Sequence, residues 1–355
     1  MGFLELALLL CSGFFLGFLL LLALNLAFGF EKGNHLSVWD RFVGVIPILR
    51  HGNNDSVSLQ LFDELEELAR IVDITYCVGM TGLGIRKPFE CASRCKDFPD
   101  FELVSMWNTG PLLSDSCGYI ALSHNSSRVI VAFRGTYSIT NTIADLSAMP
   151  QEFAPYPGGK GEDTPKCENC TVHTGFYASW KNTRDEILPF IEAALMEHPS
   201  YALTLVGHSL GGAVAAFAGI ELLSRGFKPS VTTFGEPRIG NEAFARYVDA
   251  RFNGRDYRRV THVGDPVPLL PLEEWGYVPH GNEIFISKSE LPPGPEDVHH
   301  CNSTAEARCI DAPTEGWFPS RFKLWELFFS HRDYFWRLGL CIPVGEPFWG
   351  RPGDE

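Results

Sequence analysis

Basic charge is scarce in this chain: 29 Lys and Arg stand against 43 Asp and Glu among 355 residues, for a formal charge of -14. No Lys/Arg cluster is placed to track a phosphate backbone, so nucleic acid is not an expected partner. Internal repeats are also missing, and no low-complexity tract occurs beyond the N-terminus. That argues against repeat architectures and long linkers. Metal-ligand patterns are sparse too. Cys167-x-x-Cys170 has no second Cys or His pair at ligand spacing beside it, which weakens a zinc reading, and no cofactor or metal is expected. What remains is 45% hydrophobic and 20% charged, enough apolar material for one large core or two modest ones.

One stretch lacks charge altogether. Residues 6–30 are rich in Leu and Phe and match the roughly 20 apolar residues that cross a bilayer. The run exceeds the usual apolar core of a cleavable signal, which favours an uncleaved anchor, while Ala27 and Gly29 form a small-residue pair that admits cleavage. Residues 1–30 are therefore read as a transmembrane signal anchor or a signal peptide, 31–54 as a connector, and 55–355 as the folded domain. Orientation signals conflict. Glu5 before the span and Lys32, Arg41 and Arg50 after it would keep the domain cytoplasmic by charge bias. Short-range cysteine pairs (Cys91/Cys95, Cys167/Cys170, Cys301/Cys309) and four sequons, opened by Asn54, Asn125, Asn169 and Asn302, favour a lumenal or extracellular domain instead.

Along the domain, Leu59, Leu61, Phe62, Leu65, Leu68, Ala69 and Val72 recur at helical spacing. Tyr119–Leu122 and Val129–Phe133 read as a hairpin or adjacent strand pair across a His-Asn-Ser-Ser turn. A helical pattern through Ile187, Ile191 and Leu195 stops at His198-Pro199, and strand and helix patterns then alternate: Leu203–Val206, Ala213–Leu223, Val231–Phe234, Asn241–Phe252 and Arg259–Val263. Such alternation predicts an α/β fold with a mostly parallel sheet covered by helices on both faces.

At the centre of that alternation stands Gly207-His208-Ser209-Leu210-Gly211. It fits G-x-S-x-G, in which a strand turns sharply into a helix and thrusts a serine outward. Gly207 and Gly211 are needed because a Cβ two residues from the serine would collide with the turn. The plain alternative is a strand-to-helix turn with a capping serine. Chance alone gives this pattern in roughly one chain in ten, so its context between a strand and a small-residue helix carries the argument.

Tyr201-Ala-Leu-Thr-Leu-Val-Gly-His-Ser-Leu-Gly-Gly resembles the class 3 lipases of fungi, a family that includes triacylglycerol lipases and type A feruloyl esterases. Phe133-Arg-Gly-Thr136, Phe234-Gly-Glu-Pro-Arg-Ile-Gly-Asn-Glu-Ala-Phe244, Val260-Thr-His-Val-Gly-Asp-Pro-Val-Pro268 and Ser330-His-Arg-Asp-Tyr-Phe335 follow in the family's order. The likeness spans about residues 56–341 and implies an α/β-hydrolase fold and ester hydrolysis.

A serine hydroxyl needs an imidazole to take its proton and a carboxylate to orient that imidazole. Asp265, just after a strand and before Pro266, is the expected acid, with Glu273 and Glu274 in reserve and an Asp-Pro turn as its plain alternative. Of His280, His299, His300 and His331, the resemblance selects His331 as base; His280 is expected to be structural, His299 and His300 to lie in surface loops, and His208 to pack beneath the turn. Oxyanion donors are expected from the backbone of Leu210 and, by resemblance, of Thr136. The family's short lid helix would fall between Tyr137 and Leu146, including Ser138, Ile139, Asn141, Thr142 and Ile143; Thr142 stands where family lipases often have an aromatic. Resemblance also implies disulfides Cys77–Cys341, Cys167–Cys170 and Cys301–Cys309, with Cys91–Cys95 a local clip and Cys117 left as a buried thiol.

Expected substrates are long-chain acylglycerols at a lipid–water interface, with membrane contact through the N-terminal segment. The Thr-Phe-Gly-Glu-Pro-Arg segment resembles the feruloyl esterase branch, which keeps that activity as the alternative, and phospholipase action stays open. A catalytically silent, membrane-anchored binding protein is the alternative from another class.

Overall fold

The computed structural model describes residues 56–79, 84–110, 115–136, 150–156, 166–252, 256–301, 310 and 329–341. All lie in the second of two units into which the chain divides, Asn54–Glu355. The apolar segment 6–30, the connector, the expected lid residues, Asn54, Asn302 and Cys309 fall outside the described residues.

Among the described residues, eight strands form the main sheet in the order β1 (Phe101–Asn108), β2 (Cys117–Ser123), β3 (Arg128–Phe133), β6 (Ala202–His208), β7 (Pro229–Phe234), β8 (Tyr257–His262), β9 (Glu283–Ile286) and β10 (Val298–His300). Strands β3, β6, β7, β8 and β9 run parallel, whereas β1–β2–β3 and β9–β10 pair antiparallel. The expected hairpin is the β2–β3 pair. Two short strands, β4 (Pro150–Glu152) and β5 (Thr171–His173), make a separate antiparallel ribbon.

Both sheet faces are covered, and the two-residue period of the strands decides which side chain goes where. In β3, Val129, Val131 and Phe133 join one core with β6 residues Leu203 and Leu205. Helices α2 (Thr174–Glu197), α3 (Leu210–Ser224) and α4 (Glu242–Phe252) pack on that side. Ile130 and Ala132 point the other way, into a core shared with α1 (Leu59–Ile74) and with Tyr334, Phe335 and Leu338 near the chain's end. Helix α3 is buried almost all round, from Leu210 to Leu222, which its run of Ala, Gly, Val and Phe makes tolerable.

Three expectations needed adjusting. Helix α2 starts at Thr174, well before its periodic half, because His173 caps it: Nδ1 accepts from the Phe176 N–H at 3.3 Å. Gly175 and the aromatics of its first turns are weak helix formers and masked that start. His299 and His300 are not loop residues but edge-strand residues of β10, held by pairing with β9. Strand β8 ends at His262 rather than at Val263, in a turn where Gly264 takes φ +81° and the Asp265 N–H donates to the His262 carbonyl.

Cys77–Cys341, Cys91–Cys95 and Cys167–Cys170 are disulfides, which removes the zinc alternative for the last pair. Cys301–Cys309 rests on Cys309, outside the described residues. Cys117 is a buried thiol whose Sγ–H reaches Asn108 Oδ1 at 2.8 Å, and burial pushes its pKa up. The Cys77–Cys341 bridge closes 264 residues and fastens the end of α1 to the chain's end. Constraining so long a loop contributes roughly 5–6 kcal/mol in the chain-entropy account.

Beside that bridge, Asp73 of α1 accepts from the Gly339 N–H at 2.8 Å and faces the Arg94 guanidinium at 3.4 Å. Burial raises its pKa to about 6, against the counteracting Gly339 N–H and Arg94 charge. A carboxyl whose folded pKa lies above its unfolded value holds its proton more tightly when folded. Its contribution is therefore fully present below pH ~4 and is lost as pH rises to about 6, by on the order of 3 kcal/mol. The Asp73→Asn variant is expected to lose this dependence: its unfolding free energy relative to wild type should rise between pH 4 and 6.5 and then level off. Denaturant melts across that range that leave the difference flat would contradict the assignment.

Candidate active site

At the end of β6 the chain passes into α3 through Ser209, which takes φ +58° and ψ -129°, a conformation that a side chain makes costly. The surroundings enforce it. The Ser209 N–H donates to the Phe234 carbonyl at the end of β7 (2.9 Å). A Cβ on Gly207 would strike the Gly211 backbone, and one on Gly211 would strike the carbonyl of Phe133 at the end of β3. Strand, turn and helix are thus pressed against the neighbouring strand ends, and Ser209 projects at the carboxyl edge of the parallel strands.

His331 and Asp265 come to the same edge from distant parts of the chain. His331 Nδ1 lies 2.9 and 3.0 Å from the two Asp265 carboxylate oxygens, with both side chains buried. On the opposite edge of the ring, Nε2 is buried without a hydrogen-bond partner among the described residues. Gly235, next to the Phe234 carbonyl that holds Ser209, ties the group together: a Cβ there would lie 2.9 Å from His331 Cε1 and 3.0 Å from Asp265 Oδ2. Asp265 also takes the Val267 N–H at 2.9 Å, so the turn reading and the orienting role coexist.

The two positions expected to supply oxyanion donors, Leu210 and Thr136, each adjoin a residue at this turn. Leu210 opens α3, where backbone N–H groups and the helix dipole favour negative charge. Gly135, at the end of β3, packs on Ser209: a Cβ there would lie 2.9 Å from Ser209 Cβ. Thr136 follows it directly. Ser138, Ile139, Asn141, Thr142 and Ile143 lie outside the described residues. Glu273 and Glu274 sit in an exposed turn, with Glu273 3.4 Å from Arg238, and take no part.

Three side chains around this group were not assigned roles from sequence. The Tyr334 O–H donates to Asp265 Oδ2 at 2.6 Å; burial and the nearby carboxylate raise its pKa far above the ordinary value, so it stays a donor. Its position three residues after His331, inside the quoted motif, was the available signal. Tyr76 meets His208 Nδ1 at 2.5 Å, and His208 Nε2 lies 2.8 Å from the His331 carbonyl. A carbonyl only accepts, and burial, followed by the neighbouring His331, holds the His208 pKa well below its usual value. Neutral His208 therefore donates through Nε2 and accepts the Tyr76 O–H at Nδ1. It packs beneath the turn as expected, and it also fixes the backbone of His331. Glu236, directly after Gly235, accepts from Thr233 (2.6 Å), Tyr257 (2.7 Å) and His280 Nε2 (3.1 Å), which gives His280 its structural role.

A serine on a strained turn, a buried His–Asp pair at the same sheet edge and a helix N-terminus beside the serine make acyl transfer a chemistry this edge is able to perform. Residues 130–275 match the family described as lipase (class 3). The chain is 49% identical over 351 residues to secreted mono- and diacylglycerol lipase 2 of Gibberella zeae, covering 83% of this chain and 86% of that protein. This chain is a member of the class 3 lipase family. Lipase A of Sodiomyces alcalophilus is 47% identical over 372 residues, covering 87% of this chain and 89% of its own length. Among solved structures, the Lip2 lipase of Yarrowia lipolytica matches with a TM-score of 0.72 and 32% identity over 81% of this chain and 97% of that one. The lipase is accordingly a carboxylic ester hydrolase of α/β-hydrolase fold.

The Tyr334→Phe lipase keeps the ring and loses one hydrogen bond to a charged acceptor, an interaction worth about 1.5–3 kcal/mol. We expect kcat to fall roughly tenfold or more with KM little changed. Unchanged kcat would remove Tyr334 from the group that positions Asp265.

Proposed function

We propose that Ser209, His331 and Asp265 act together as nucleophile, general base and orienting acid in hydrolysing acylglycerol esters. The observation that carries this reading is the buried His331–Asp265 pair, whose unbonded Nε2 edge lies in the group that Gly235 and Phe234 tie to Ser209. In the first half-reaction the Ser209 oxygen attacks the ester carbonyl as Nε2 takes its proton, and the oxyanion is met by the N–H groups of Leu210 and Thr136. Collapse breaks the bond to the alcohol, which leaves with the proton from Nε2. Water then repeats the sequence on the acyl-enzyme and frees the acid and Ser209. The Asp265 carboxylate orients the ring and stabilises the imidazolium.

Acylglycerol substrates are supported by the name of the Gibberella zeae relative, a mono- and diacylglycerol lipase. That name also supports export, with residues 6–30 as the targeting segment; cleavage near Ala27 and Gly29 fits a secreted protein better than retention as an anchor. N-terminal sequencing of the exported protein separates the two.

Purified enzyme should label with a fluorophosphonate, and Ser209→Ala should not, with kcat lower by several orders of magnitude. On p-nitrophenyl esters from C2 to C16 and on mono- and diacylglycerols, long-chain substrates should be preferred. Equal labelling of wild type and variant would overturn the assignment of the nucleophile. Preference for C2–C4 or feruloyl esters would overturn the acylglycerol reading in favour of an esterase.

A further inference from the structure

At the opposite edge of the sheet from Ser209, the β2–β3 turn carries an exposed Asn125 at the head of Asn125-Ser126-Ser127. The two edges are separated by the seven residues of β6, since Arg128 pairs with Ala202 at one end and Phe133 with Gly207 at the other. That is roughly 20 Å along a strand. The turn is pinned rather than loose. Asp100 Oδ2 accepts from the Asn125 N–H (3.0 Å) and from the Ser123 hydroxyl (3.1 Å), which ties the turn to the start of β1. His124 is held on both ring edges, by the Tyr201 hydroxyl at 2.9 Å and Glu102 at 3.3 Å.

Directly beside this turn lies an open cleft of about 560 Å³, whose walls include Lys87, Pro88, Pro99, Asp100, Glu102 and His124. Pro88 and Pro99 are exposed and offer apolar faces, while Glu102, Lys87 and His124 offer hydrogen-bonding heads at the rim. One ammonium faces two carboxylates, so the cleft suits neither an anionic headgroup nor a strongly cationic ligand. Alternating C–H faces and hydroxyl groups, as on a neutral sugar, match such walls.

We propose that Asn125 is N-glycosylated and that the first sugars of its glycan lie in this cleft, bracing the β2–β3 turn against β1. This rests on the reading that the chain enters the secretory pathway. The donor there is an oligosaccharide on a polyprenyl pyrophosphate. Asn125 Nδ2 attacks C1 of the first sugar, the C–N bond forms as the C–O bond to the pyrophosphate breaks, and the polyprenyl pyrophosphate leaves while the amide nitrogen gives up one proton. Because the sugar is tethered at the cleft's edge, its effective concentration is in the millimolar range, and weak contacts suffice to seat it. The glycan sits far from Ser209, so it acts on stability and leaves turnover unchanged.

The test is made on the full chain expressed in a eukaryotic secretory host. Glycopeptide mass spectrometry should find Asn125 modified. Thermal melts should place wild type above Asn125→Gln by about 2–4 °C, with equal kcat on a p-nitrophenyl ester. The Lys87→Ala/Glu102→Ala variant should keep the glycan and lose most of that difference when compared with its own Asn125→Gln form. An unmodified Asn125 alongside other modified sequons overturns this inference alone. So does a melting difference that is absent, or that persists in the cleft variant. Failure of export, with every sequon bare, overturns both this inference and the secretory reading, while the Ser209 labelling assay stands independently of either.

Discussion

Close approach of backbone at the β6–α3 junction is the constraint on which the rest of the site depends. Gly207 lies against the Gly211 backbone and Gly211 against the end of β3, at distances no Cβ would permit. With those methyl-sized volumes missing, α3 begins immediately at the strand's end. Ser209 is then forced to positive φ, at a cost of about 1–3 kcal/mol that the packing of α3 offsets. That places Ser209, itself buried, at the carboxyl edge of the sheet. The same compression brings the Gly135 and Phe234 backbones against the serine, so the segment leading to Thr136 and the floor beneath His331 are set by one steric fact.

Buried polar pairs then fix what the strands deliver. Asp265 is satisfied by His331, Tyr334 and the Val267 N–H, so the carboxylate has little freedom to rotate. His331 is held on Nδ1 by that carboxylate and through its carbonyl by His208, while Nε2 is buried with no hydrogen-bond partner among the described residues. Tyr76 completes the chain, one residue before the Cys77–Cys341 disulfide. The covalent tie between α1 and the chain's end therefore supports the segment that carries His331 and Tyr334. Preorganisation of this kind is what electrostatic stabilisation of an acyl-transfer transition state requires.

The periodic parts of the chain were legible because each answers to a local rule. Strand β6, helix α3 and the alternation that follows them obey the periods of a strand buried on both faces and of a buried helix, and the glycines of the elbow carry a steric signature. His280 and the β10 histidines were less legible. His280 is structural only because Glu236, 44 residues away, points at it. His299 and His300 become strand residues only because β9 lies alongside, and three residues carry too little pattern to announce a strand. His173 as the cap of α2 escaped for a similar reason, since histidine is an uncommon residue at that position.

Sequence by itself determined the fold class, the elbow serine and the chemistry it implies, because spacing and glycine sterics act within a few residues. Asp265 was reached from its place just after a strand and His331 through motif resemblance, and their pairing belongs to the tertiary structure. So do Tyr334 donating to Asp265, the neutral state and tautomer of His208, and the raised pKa of Asp73. Each of these depends on burial and on a partner remote in sequence, as Gly339 is from Asp73. Desolvation and hydrogen-bond direction are properties of the assembled surroundings, and no local pattern encodes them.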